Sequence, residues 1–185
     1  MRTFLALDLP DPIRAELSKV ISHLKSVNNN GIKWVVSENL HITFQFIGET
    51  HRHDLNEIFD IIENIFEEIL PITFSNAILE IIPQRDPRII WISLQSHEAK
   101  LITAFKRFKK KLSEMGYKLD KKPLKYHITL GRIKKRLPEF FIKEILTTEL
   151  KIRNFKVTKA SLYQSFLKPE GPIYEEIINY YFTKE

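Results

Sequence analysis

The sequence predicts an α+β fold of two pseudo-twofold-related lobes, each an antiparallel sheet with helices on its outer face, and a cleft between them. Three observations predict it. His41-Ile42-Thr43-Phe44 recurs almost letter for letter as His127-Ile128-Thr129-Leu130. Apolar runs and amphipathic stretches follow the two copies in the same order. No Pro/Gly/Ser-rich linker separates the halves, and 185 residues, 43% of them hydrophobic, suffice for one sizeable core. The expected organisation is one bilobal domain over residues 1–185 with an internal duplication.

The elements are read in chain order. Phe4 to Leu9 forms a short apolar strand that leads into a helix from about Asp11 to Leu24. The first motif opens a strand at His41, followed by a helical stretch from Asp54 to Leu70 and apolar runs at Ile72 to Ile82 and Ile89 to Leu94. The last of these also starts the second copy. It leads into a helix from about His97 to Met115, with Leu101, Ile102, Phe105, Phe108 and Leu112 on a core-facing stripe. The second motif strand begins at His127, then a helix spans Pro138 to Leu146 and runs cover Ile152 to Phe166 and Ile173 to Phe182. The aromatic tail from Tyr174 reads as a closing strand with one buried face. Each copy is thus strand, helix, His-x-Thr strand, helix, strand. If the opening strand and helix pair with the opposite copy, each lobe interleaves both halves of the chain.

Composition narrows the function. The absence of cysteine excludes disulfides and thiolate chemistry and fits a reducing compartment. Nothing resembles a signal peptide or a membrane span, so a soluble, cytoplasmic protein is expected. The net charge of +6 suggests an anionic partner. Lys106, Arg107, Lys109 to Lys111, Lys118, Lys121, Lys122, Lys125, Arg132 and Lys134 to Arg136 crowd around the second motif, whereas Asp54 to Glu68 after the first is acidic. A solvated helix face explains Lys106 to Lys111 equally well. Arg132 to Arg136 adjoin a reactive histidine and are read as functional.

Histidine exchanges protons near neutral pH, so two histidines can serve as acid and base. In a strand, residues two apart share a face, which aligns His41 with Thr43 and Gln45, and His127 with Thr129. Phe46 and Arg132 each lie five residues after their histidine, on the opposite face by simple alternation. A bulge, such as Gly131 permits, would bring them round. His51, His53 and Asp54 read as a polar loop with an N-cap rather than as metal ligands, and no metal is expected. His23 and His97 read as surface residues. With five glycines and no Gly-x-x-x-x-Gly-Lys-Ser/Thr, the chain has no recognisable ATP loop.

Asn39 to Glu49 and Tyr126 to Arg132 resemble the paired motifs of the 2H phosphoesterases, and specifically the branch of RNA 2′,3′-cyclic phosphodiesterases, also called 2′-5′ RNA ligases. Arg2 to Pro10, Lys33-Trp34-Val35 and Arg88 to Trp91 fit the same branch, so the resemblance spans nearly the whole chain. It implies hydrolysis of RNA 2′,3′-cyclic phosphodiester ends to 2′-phosphomonoesters without cofactor or metal. His41 would be the proton donor and His127 the acceptor. Thr43, Thr129 and Arg132 would bind the phosphate, with Phe46 and Gln45 as candidates for a base or ribose contact. Implied partners are RNAs ending in the cyclic phosphate, such as tRNA fragments or oligonucleotides, acted on by a monomer. Reverse 2′-5′ ligation would be a side activity.

The residues support this chemistry without deciding its direction. Opening the ring needs in-line attack by water and protonation of the departing ribose oxygen, which two imidazoles on opposite sides supply. Their surroundings are quasi-symmetric, so the acid and base remain interchangeable on residue physics. The alternative is a non-catalytic RNA-binding module, which would not need two matched His-x-Thr units.

Overall fold

The computed structural model describes residues 1–182. Its nine strands are β1 (Arg2–Asp8), β2 (Ile32–Trp34), β3 (His41–Glu49), β4 (Ile72–Ile82), β5 (Ile89–Gln95), β6 (His127–Ile133), β7 (Phe155–Val157), β8 (Lys159–Leu167) and β9 (Pro172–Tyr181). The helices are α1 (Asp11–Val27), α2 (Leu55–Phe66), α3 (Ala99–Glu114) and α4 (Glu139–Thr147).

The strands form one curled antiparallel sheet in the order β7-β4-β5-β6-β3-β1-β8-β9, with β2 added alongside β6. At its centre β3 and β6 meet through a single register pair, Ile42 with Ile128. That seam divides the sheet into two halves of matching plan. On one side β3 pairs with β1, and β1 with β8. On the other, β6 pairs with β5, and β5 with β4. Helices α2 and α3 cover the first half, where Phe66, Phe105 and Phe108 converge on Phe44 of β3 with ring centroids 5.2, 5.6 and 6.2 Å away. Helix α4 covers β4 and carries α1 beside it. Each lobe therefore takes elements from both halves of the chain, as the interleaved reading expects.

Local sequence explains the elements. Helix α1 begins after Pro10 with Asp11 and Pro12 in its first turn, where a missing amide proton costs nothing and an acidic charge meets the dipole. Its stripe Leu17, Val20, Ile21 and Leu24 is buried. Strand β1 is buried from Thr3 to Asp8: it lies between β3 and β8, Leu5 and Leu7 join the hydrophobic core, and Phe4 packs against His41, Tyr163 and Tyr174.

Several boundaries differ from the sequence reading. The run Ile152 to Phe166 is two strands that turn at Thr158: β7 pairs with β4, whereas β8 pairs with β1 in the other lobe. Here the chain crosses between lobes. Helix α2 stops at Phe66, and the buried Ile69 follows in a turn. Asp54 does not cap it through its side chain, because its carboxylate accepts instead from the Tyr117 hydroxyl at 2.5 Å. The closing strand β9 is a half-exposed edge, and the buried ring of the tail is Phe182. Strand β2 is not evident from periodicity, being only three residues long. Among the described residues no helix is long and apolar enough to cross a membrane.

Candidate active site

His41 and His127 are the first residues of β3 and β6, the two strands that meet at the seam. Both are half-buried and line one cavity of about 900 Å³. In the antiparallel register through Ile42 and Ile128, each histidine comes opposite the other motif's threonine. The two motifs therefore form one constellation.

The same irregularity then reshapes both strands. Between β1 and β3, Leu5 pairs with Gln45 but Ala6 with Thr43, so Phe44 is an extra residue. Between β5 and β6, Ile90 pairs with Gly131 but Trp91 with Thr129, so Leu130 is extra. One inserted residue reverses the alternation. Phe46, 55% exposed, and Arg132, also exposed, are thereby carried onto the histidine face and into the cavity. Gln45 corrects the simple alternation in the other direction. It is only 4% exposed, and its amide donates to the Phe46 carbonyl at 2.6 Å, so it braces the bulge from the cavity wall.

Each imidazole is fixed by the carbonyl two residues before it. His41 Nδ1 lies 2.7 Å from the Asn39 oxygen and His127 Nδ1 lies 2.9 Å from that of Lys125. A carbonyl only accepts, so Nδ1 carries the proton of the neutral ring and Nε2 is left with its lone pair. At His41 that lone pair accepts from the Thr43 hydroxyl at 3.0 Å. Burial pushes the His41 pKa down to about 4, opposed by the Asn39 hydrogen bond and aided by the charges of His127 and Arg14. Burial also lowers His127, opposed by the Lys125 carbonyl and aided by the Lys125 and Arg132 charges. Both rings are thus neutral in the free protein at pH 7.

Neighbours that sequence reasoning missed complete the site. Phe4 and Tyr174 flank the His41 ring at 5.0 and 5.5 Å. Trp91 lies 4.5 Å from the His127 ring, held by its indole N–H donating to Glu80 at 2.9 Å. Trp91 had a signal, since it closes the segment Arg88 to Trp91 that shares in the family resemblance, but Tyr174 is 133 positions from His41 and had none. Arg14 also escaped notice. Its guanidinium donates to the carbonyls of Ser37 and Leu40, each at 2.9 Å, and of Glu38 at 3.3 Å, which bracket Asn39. The Asn39 side chain in turn donates to the Pro172 carbonyl at 2.7 Å. His51 and His53 stack on each other away from the cavity, with His53 Nε2 3.3 Å from Asp54.

Comparison with known proteins bears on the fold and its duplication. A family model described as LigT like Phosphoesterase matches the chain twice, over residues 7–91 and 92–174, dividing it within β5 where the two copies join. A Methanocaldococcus jannaschii protein named RNA 2′,3′-cyclic phosphodiesterase is 35% identical over 183 residues, 96% of this chain and 98% of its own. An Archaeoglobus fulgidus protein of the same name is 32% identical over 184 residues, again 96% and 98%. A solved structure from Thermus thermophilus shares the fold with a TM-score of 0.83 at 25% identity, covering 98% of both chains. E. coli LigT complexed with 3′-AMP shares it with a TM-score of 0.72 at 21% identity, covering 99% of this chain and 98% of that one.

Proposed function

Because the chain belongs to the LigT-like phosphoesterase family, we propose that it hydrolyses RNA ends bearing a 2′,3′-cyclic phosphate to 2′-phosphomonoesters. Neutral His127 takes a proton from water as the oxygen attacks phosphorus. The bond from phosphorus to the 3′ oxygen breaks in line, and His41 gives that oxygen its proton. Water's hydroxyl ends on phosphorus and its hydrogen is replaced, through the two imidazoles, on the ribose. The Thr43 and Thr129 hydroxyls and the Arg132 guanidinium hold the non-bridging oxygens as their charge grows. Phe46 offers its exposed ring to the terminal base. No step calls for a metal or cofactor.

The observation that carries this reading is the matched pair of imidazoles, each turned onto a backbone carbonyl through Nδ1 and sharing one cavity with both threonines and Arg132. Their unequal surroundings support the assignment of roles. His41 is the more deeply set and is ringed by Phe4 and Tyr174, which suits a group facing the sugar. His127 sits nearer solvent, where water arrives. A low pKa makes His41 a strong donor once protonated, and the bound phosphate anion favours that protonation. In reverse, a 5′-hydroxyl in the place of water would yield a 2′-5′ linkage, a side activity against the concentration of water.

The test is incubation with a nucleoside 2′,3′-cyclic phosphate, with EDTA and without ATP, separating 2′- from 3′-phosphate products. A 2′-phosphate that disappears in His41→Ala and His127→Ala supports the reaction and its regiochemistry. A 3′-phosphate product would reverse the leaving oxygen, and no turnover with RNA still retained would favour a binding module.

A further inference from the structure

The internal duplication provides its own control for the lysines beside the second motif. Two connections occupy equivalent places: residues 28–40 lead from α1 into β3, and residues 115–126 lead from α3 into β6. Both deliver the carbonyl that fixes a histidine. The first carries only Lys33 and Glu38 as charged residues. Lys33 reaches the Pro169 carbonyl at 3.1 Å and so joins that connection to the β8–β9 turn. The second carries Lys118, Lys121, Lys122 and Lys125, all exposed, and none of these side chains enters a hydrogen bond or ion pair among the described residues. Its single acid, Asp120, is matched by Lys109, which lies 3.6 Å from the carboxylate and donates to the backbone carbonyls of Asp120 and Lys122. The loop is therefore anchored from beneath, with its remaining cations unneutralised.

Scaffolding cannot account for this charge, because the equivalent connection does the same work without it. The cations are also continuous with the site: Lys122 and Lys125 reach the wall of the cavity that holds both histidines. Its volume of about 900 Å³ lies at the upper end of the range of about 300–1,000 Å³ common for small-ligand sites. We propose that the loop from Lys118 to Lys125 is a track for the sugar-phosphate backbone of single-stranded RNA preceding the reactive end, so that the protein favours polymers over mononucleotides. This rests on the proposed reaction for the identity of the polymer. Release of condensed counterions would make the preference salt-dependent.

The experiment compares the wild type with a Lys118→Ser/Lys121→Ser/Lys122→Ser variant. Lys125 is left intact because its carbonyl holds His127. Two substrates are used, a nucleoside 2′,3′-cyclic phosphate and a short single-stranded oligonucleotide ending in the same group. The ratio of kcat/KM for the oligonucleotide to that for the mononucleotide should fall roughly 10- to 100-fold in the variant. Fluorescence anisotropy with an oligonucleotide ending in a 2′-phosphate should show a log–log salt slope shallower by about 2, about 0.7 for each lost phosphate contact. An unchanged ratio and slope would overturn the track while leaving the reaction standing. If neither substrate turns over, the anisotropy slope still decides the track on its own.

Discussion

The two halves of the molecule share a plan down to the extra residue that follows each histidine in its motif strand, yet the histidines stand in different settings. His41 is set behind a clamp: Arg14 gathers the carbonyls around Asn39, whose own carbonyl holds the imidazole and whose amide ties down Pro172. His127 hangs from an exposed, lysine-rich loop whose anchor, Lys109, acts at Asp120 and Lys122, upstream of the carbonyl that matters. Duplication provides two equivalent histidines, and the connections preceding them make the two inequivalent. The proposed reaction, which delivers a proton on one side and removes one on the other, makes use of such a difference.

The largest expected effects break the comparison at its centre. On the proposed roles, His41→Ala and His127→Ala should each lower kcat by about 10²- to 10⁴-fold, while thermal unfolding changes little. The two should separate with a substrate in which sulfur replaces the 3′ oxygen, because thiolate leaves without protonation. His41→Ala should recover most of its loss with that substrate and His127→Ala none. Equal recovery, or recovery only in His127→Ala, would refute the assigned roles.

Arg14→Gln should come next. Loss of the clamp misplaces His41 and should lower kcat by up to about 100-fold. Loss of its positive charge removes one of the causes that depress His41, so the His41 titration followed by NMR should move up from about 4. The His127 titration should stay where it is. A merely structural arginine would alter the unfolding temperature and leave both titrations unchanged.

Dependence on pH sharpens the comparison without mutation. Both histidines titrate below the ordinary 6.5 in the folded protein, so the unfolded chain binds more protons between about pH 4 and 6.5. Stability from holding His41 neutral is therefore complete above about 6.5 and is lost as pH falls toward 4. The proposed reaction needs one proton on the pair. For the free enzyme, kcat/KM should fall about tenfold per unit above the higher of the two pKa values, which lies below 6.5. A flat profile from pH 6.5 to 8 would contradict the acid and base pairing.

Much of the fold was legible in the sequence, for identifiable reasons. The twin tetrapeptides and the repeated element order specify the lobes, because period-2 and helical patterns persist wherever one face is buried. Interleaving was legible only as a condition, that the opening strand and helix pair with the opposite copy, and β1 beside β8 and α1 beside α4 meet it. The inward turn of Phe46 and Arg132 was legible only as a condition, since a bulge is a property of pairing and leaves no mark in one strand read alone. Arg14 and Tyr174 were illegible. Their roles depend on carbonyls and rings brought near by the fold, and an arginine on an amphipathic helix has no pattern that marks it out.

The smallest effects concern the position after each extra residue, Gln45 in one copy and Gly131 in the other. A Cβ at Gly131 would lie 3.0 Å from Ile32 Cγ2 and 3.1 Å from Trp34 Cε3, so this glycine is what lets β2 lie against β6. No strand lies against Gln45 on that side; its amide instead satisfies the Phe46 carbonyl. Gly131→Ala should therefore displace Trp34 and cost about 1–3 kcal/mol of stability as an overpacked site. Gln45→Ala should cost about 1 kcal/mol, from one hydrogen bond. Phe46 should also be less well held, so a modest rise in KM is expected with kcat kept. Denaturant unfolding of the two variants measures the order. If Gln45→Ala proved the more destabilising, the bulge in β3 would depend on its side chain as strongly as the seam at β6 depends on having none.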